Sequence, residues 1–242
     1  MELFYPKQTN LGLFVQLRER GFSHADIIRV RDAYLIACKM FNGRYRKNSR
    51  AVICHAVGAA SASAQYTDQI DIVIASLLHA AYDGGQFPDG RVGKITDAHR
   101  QWLKGEIGTV VEAILVRLQR FDFEMGDPEK IVENGIEQRD EDLLFMALAH
   151  EIDDMVDGGL AVVQKYGGSI EKRVEACAIL ARRIGEEDIA KTLEAHGKFY
   201  SEYDWMKSLE QETRSGFWIV PNFRAYIRHL KRARRKVTAL IF

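Results

Sequence analysis

Apolar positions recur three and four residues apart along most of the chain, the spacing of one face of an α-helix. In residues 10–20, Leu13, Phe14 and Leu17 fall on one side. Ser23 offers an N-cap to the next segment, where Ile27, Val30, Tyr34, Leu35 and Cys38 keep helical spacing until Asn42-Gly43 stops it. Residues 50–66 are alanine-rich and helix-prone, and residues 68–82 are apolar on nearly every side, which predicts a central, buried helix. DGGQFPDGRVG at 83–93 reads as a loop. Thr96 is placed to cap a long helix over 95–120, and Gly126-Asp127-Pro128 reads as a turn. Further helices are expected at 138–156, 168–185, 186–199 and 220–238. Strand-like alternation is nearly absent, with FWIV at 217–220 the best candidate. The pattern predicts an all-α, multi-helix bundle. Its expected organisation is a helical domain over 1–200 and a C-terminal helical extension over 201–242.

Composition narrows the function. The 242 residues carry 34 basic and 34 acidic side chains. A zero balance disfavours a general nucleic-acid binder and an acidic disordered chain. Hydrophobic residues make up 47%, enough for a sizeable core. Cys38, Cys54 and Cys177 are dispersed and odd in number, with no CxxC, so a reducing cytoplasm is the expected location. The most apolar stretch, IDIVIASLLHAAY, has 13 residues, whereas a membrane span needs about 20. MELFYPKQTN has neither a basic n-region nor a long apolar h-region, so no targeting segment is expected. One local excess stands out: RAYIRHLKRARRK at 224–236 holds seven basic residues in thirteen, fitting an acidic partner, a membrane surface or RNA, or else a solvated helix face.

Histidines bring the candidate chemistry. His55 in VICHAVGAA, His79 in ASLLHAAYDGG and His150 in FMALAHEIDDM each interrupt an apolar helical pattern, where an imidazole needs a partner. Such a histidine is either a core residue bonded to a neighbour or part of a shared site. Asp83 follows His79 by four residues, which places both on one face of a continuous helix. Asp153 and Asp154 follow His150 by about one turn. His24, His99, His196 and His229 lie in polar stretches and are expected at the surface.

These segments, in this order, resemble HD-domain phosphohydrolases, and within them the hydrolase domain of RelA/SpoT-type alarmone enzymes. FNGRYRKNSRAVICHAVGAA resembles the opening pattern, in which an Arg-Lys pair precedes the first metal-binding His. IDIVIASLLHAAYDGG resembles the helix carrying the His-Asp pair, and HRQWLKGEIGTVVEAILVRL the helix that follows it. FMALAHEIDDM resembles LKLADRLHNM, and EACAILARRIGEEDIAKTLEAHGKF resembles the closing helices. The resemblance spans roughly residues 30–200 and implies an HD-like bundle.

It also implies a site, altered from the family pattern. His55 and His79 match family metal ligands; the Asp of the His-Asp pair is Ala80, which cannot ligate; the second ligand Asp is His150, which can. The implied ligands are His55, His79 and His150, holding one divalent ion: zinc, iron or manganese. Three imidazoles suit zinc better than an ion that prefers oxygen. Asp83 and Asp154 are the candidate catalytic acids, with Asp83 as general base. Arg46 and Lys47 match the pair that contacts substrate, while Asp154 replaces an Asn and would repel a phosphate. The expected function is hydrolysis of a phosphoester or pyrophosphate in a small anionic substrate of the nucleotide kind. The alternative is a metal-free, inactive ligand-binding or regulatory module. Nucleic acid is not the expected partner, and a homo-oligomer is left open.

Overall fold

The structure, a computed structural model, describes residues 3–46, 48–121, 127–156, 170–202 and 217–218. It is a multi-helix bundle. The helices are α1 (Asn10–Glu19), α2 (His24–Phe41), α3 (Val52–Tyr66), α4 (Ile70–Leu77), α5 (Ala81–Gly84), α6 (Asp97–Ile107), α7 (Thr109–Leu118), α8 (Asp127–Asn134), α9 (Glu141–Met155), α10 (Ile170–Arg183) and α11 (Glu187–Ser201). Two short strands, β1 (Arg44–Tyr45) and β2 (Phe217–Trp218), pair antiparallel, with Tyr45 opposite Phe217. No helix among the described residues is long and apolar enough to cross a membrane. The proposed extension over 201–242, including the basic run 224–236, lies almost wholly outside the described residues.

Helix starts follow their caps. Ser23 Oγ accepts from Asp26 N, and Thr96 Oγ1 accepts from His99 N, as the sequence predicts. Two long helices are instead broken. The segment 95–120 divides at Gly108, whose φ of +89° suits glycine and separates α6 from α7. The segment 68–82 divides at a turn over 78–80, between α4 and α5. Pro128, read as part of a turn, instead stands in the first turn of α8, where a missing amide hydrogen costs nothing.

The centre of the bundle is α3, which packs on both α4 and α9. Residues 55–64 of α3 are all buried, mostly alanine, serine and glycine, so its neighbours approach closely. Ser63 Oγ and Ser76 Oγ share a 2.7 Å hydrogen bond between α3 and α4. On the other side, α9 is buried almost around its circumference, including Glu151, Asp153 and Asp154. Gly58 of α3 is what lets α9 in: an added Cβ would stand 1.7 Å from Asp153 Oδ1.

His99 and His196, expected at the surface, are buried. His99 stacks on Phe87, with ring centroids 4.0 Å apart, and its nitrogens meet Asp89 Oδ2 at 2.9 Å and the Lys94 carbonyl at 2.7 Å. It thereby ties the 83–93 loop to α6. His196 Nε2 donates to the Phe4 carbonyl at 2.8 Å. Both sit on buried helical stripes, His99 with Leu103 and Ile107, and His196 with Leu193 and Tyr200. Their polar sequence neighbours occupy the other helix faces and disguised this. His24 is exposed, as expected.

Replacing a mid-helix glycine by alanine ordinarily stabilises a helix by about 1 kcal/mol. Gly58→Ala is expected to do the opposite, costing roughly 3–5 kcal/mol by displacing a buried, paired carboxylate. Urea denaturation of the variant checks this; a neutral or positive change rejects the close α3–α9 contact.

Candidate metal centre

Three segments bring the histidines together: α3 carries His55, the turn between α4 and α5 carries His79, and α9 carries His150. The rings lie edge to face, with centroids 4.9 Å (His55–His79), 4.5 Å (His55–His150) and 4.8 Å (His79–His150) apart. One potential ligand nitrogen from each lies within 4.8 Å of the others. The closest pair, His55 Nε2 and His79 Nε2, is 3.1 Å apart.

The outer ring nitrogens fix the tautomers. His79 Nδ1 donates to the Ser76 carbonyl at 2.8 Å. An unbroken helix would give that carbonyl to the amide of residue 80, so the break after Leu77 both releases the acceptor and orients the ring. His55 Nδ1 lies 2.7 Å from Asp153 Oδ2. A carboxylate only accepts, so the proton belongs on Nδ1. Arg46 Nη1 is 3.0 Å from the same nitrogen and pairs with Asp154 instead. Thus Nε2 of both rings carries a lone pair, and the two lone pairs face each other. Nitrogens sharing one ion at ~2.0–2.1 Å stand roughly 3–3.5 Å apart, so the His55–His79 spacing fits an ion between them. His150 Nδ1 stands 3.6 Å from Asp154 Oδ2, beyond good hydrogen-bond length, and one nitrogen of its ring is the third potential donor. An imidazole backed by a carboxylate or carbonyl is the usual form of a metal-binding histidine.

Each buried acid of α9 has an arginine from another segment. Glu151 is gripped by Arg173 of α10 through two 2.7 Å bonds. Asp153 receives Arg50 Nη2 at 2.6 Å and Gln8 Nε2 at 3.0 Å. Asp154 takes both Arg46 nitrogens, Nη2 at 3.0 Å. A tight turn aims Arg46 and Arg50 together: Arg46 N donates to the Arg50 carbonyl, and Ser49 adopts φ +64°. Burial raises the Asp153 carboxyl above its usual range, with Arg50 opposing. Burial also pushes Asp154 upward, but the Arg46 guanidinium together with His150 and His55 holds that carboxyl well below the usual range. Burial, reinforced by Arg46, holds His55 well below the ordinary imidazole range. Burial likewise lowers His79, and lowers His150 strongly. All three are therefore neutral at pH 7, the form that binds metal.

A cavity of about 530 Å³ opens onto this cluster, lined by His79, His150, Asp83, Arg46, Arg120 and Arg173 among others. Asp83 is exposed at its rim, where Gln119 Nε2 donates to Oδ2 at 3.1 Å. Because His79 sits on a turn, the two residues do not share one helix face; the cavity joins them instead. Arg46 lines the cavity, and Lys47 lies outside the described residues. Asp154 borders the cavity but faces Nδ1 of His55 and His150, on the far side of those rings from Nε2. Gln8, Arg50, Ser76, Glu151 and Arg173 were not anticipated. The one signal for them was the run of acids in an apolar helix, which demands buried cations without saying which.

No family model matches the chain, and no curated protein matches it.

The buried imidazoles make stability pH-dependent. His55, His79, His150 and His196 all have depressed native values, so below about pH 6.5 the unfolded chain binds protons that the native one refuses. Asp153 and Glu151, raised by burial, act in the opposite sense but are fewer. With chelator present, stability is expected to fall between pH 7.5 and 5.5, by up to about 1.4 kcal/mol per pH unit for each imidazole. Denaturant midpoints across that range check this; a flat profile contradicts neutral, buried rings.

Proposed function

We propose that the chain is a metal-dependent phosphohydrolase, with His55, His79 and His150 holding one zinc ion. Its proposed substrate is a small phosphoester or pyrophosphate of the nucleotide kind. The observation that carries this reading is the pair of Nε2 lone pairs facing each other at 3.1 Å, each backed by an acceptor on Nδ1. The order of the segments supports it as well, through the resemblance to HD-domain hydrolases. When bound, a zinc ion in a three-imidazole site lowers the pKa of a coordinated water and polarises a phosphoryl oxygen.

The chain's own residues do the rest. Asp83 at the rim accepts the proton of the attacking water, and Gln119 holds its carboxylate across the cavity mouth. Arg46, Arg120 and Arg173 surround the cavity with guanidinium groups suited to phosphate oxygens. Arg120 is exposed and forms no ion pair among the described residues, so it meets an incoming anion at no cost in existing contacts. Asp154 is assigned a different part from Asp83. Its oxygens are taken by Arg46 and turned toward Nδ1 nitrogens, so it positions rings rather than moving protons.

Elemental analysis is expected to find about one zinc per chain, lost in His79→Ala. Hydrolysis of p-nitrophenyl phosphate or of a nucleotide pyrophosphate should stop with chelator and return with zinc. Asp83→Asn is expected to lower kcat about 10²–10⁴-fold at unchanged zinc content. Turnover by metal-free protein, or an unchanged kcat in Asp83→Asn, overturns the reading.

A further inference from the structure

Asp154 is held between two claims. Its carboxylate is paired with Arg46 through both oxygens, with Oδ2 to Nη2 at 3.0 Å. The same Oδ2 stands 3.6 Å from His150 Nδ1, and Oδ1 stands 3.5 Å from His55 Nδ1. Both separations are somewhat too long for a good hydrogen bond. His55 has Asp153 at 2.7 Å instead, whereas His150, about one-fifth exposed and lining the cavity, has among the described residues this stretched contact alone on the Nδ1 side. Arg46 is one-quarter exposed and lines the cavity, so a ligand can reach it; Asp154 is 5% exposed and cannot follow the guanidinium outward.

We propose that Arg46 and Asp154 form an anion-operated latch on the metal centre. An oxyanion entering the cavity draws Arg46 off Asp154, and the released carboxylate closes by about half an ångström or more onto His150 Nδ1–H to reach hydrogen-bond length. A carboxylate bonded to the outer nitrogen makes an imidazole a better ligand. The anion therefore tightens the metal, and by reciprocity the metal tightens the anion by the same factor. Asp154 is thus a positioning residue that couples the two occupants, and the asparagine-to-aspartate difference noted in the sequence becomes the source of that coupling. The inference rests on the three-histidine metal site proposed above.

Zinc affinity, measured by competition with a chromophoric chelator, tests the latch with inorganic phosphate as the anion. Saturating phosphate is expected to tighten zinc about tenfold in the wild type and less than twofold in Asp154→Asn. Arg46→Gln is expected to bind zinc about tenfold more tightly without phosphate, and to lose that gain when combined with Asp154→Asn. Equal tightening by phosphate in Asp154→Asn overturns the latch, since phosphate then acts as a direct ligand. An equal gain from Arg46→Gln in both backgrounds also overturns it, since removal of a positive charge then suffices. Should Asp154→Asn fail to fold, NMR of the wild type decides: phosphate should shift the His150 Nδ1 proton downfield, and a fixed resonance overturns the proposal. A wild type that binds no zinc fails the metal-site reading itself, whereas zinc binding without coupling fails only the latch.

Discussion

The Asp153 carboxylate, sealed between α3 and α9, is the contact on which the rest depends. It is fully buried and would cost several kcal/mol if left alone in the interior. Arg50, Gln8 and His55 each meet it, and Gly58 provides the space it fills. One side chain therefore fixes four things: the depth of α9 against α3, the course of the N-terminal segment, the 46–50 turn and the tautomer of His55. None of these partners is interchangeable, because a buried carboxylate tolerates neither a missing donor nor an intruding methyl group.

The same rule extends along α9. Glu151, Asp153 and Asp154 project in different directions and each meets an arginine from a different place, Arg173, Arg50 and Arg46. A slip of one residue in α9 would mismatch all three pairs. Such pairs add little net stability compared with apolar packing, but they penalise alternatives heavily. They also leave the cavity wall close to neutral while keeping guanidinium groups in it. The formal neutrality of the whole chain is thus repeated locally, in the wall of this cavity.

Helical periodicity made the bundle legible, along with the caps Ser23 and Thr96 and the shared position of His55, His79 and His150. The breaks were less visible. Gly108 sits in a helix-like run, and nothing in LLHAAY announces the turn that hands the Ser76 carbonyl to His79. Burial of His99 and His196 was hidden by polar neighbours that belong to other helix faces. The arginine partners of α9 were illegible for a different reason. Arg50 and Asp153 are 103 residues apart, and pairing at that distance is decided by packing rather than by local pattern.

The β1–β2 pairing adds a long-range dependence. Tyr45, immediately before Arg46, is held in register by Phe217. A segment far along the chain thereby helps to set the backbone from which the Arg46 guanidinium projects. Proteolytic clipping ahead of residue 217, or a truncation that removes the strand, would unpair β1 and leave Arg46 on a looser tether. The position of the Arg46 guanidinium would then respond to the integrity of a strand far along the chain.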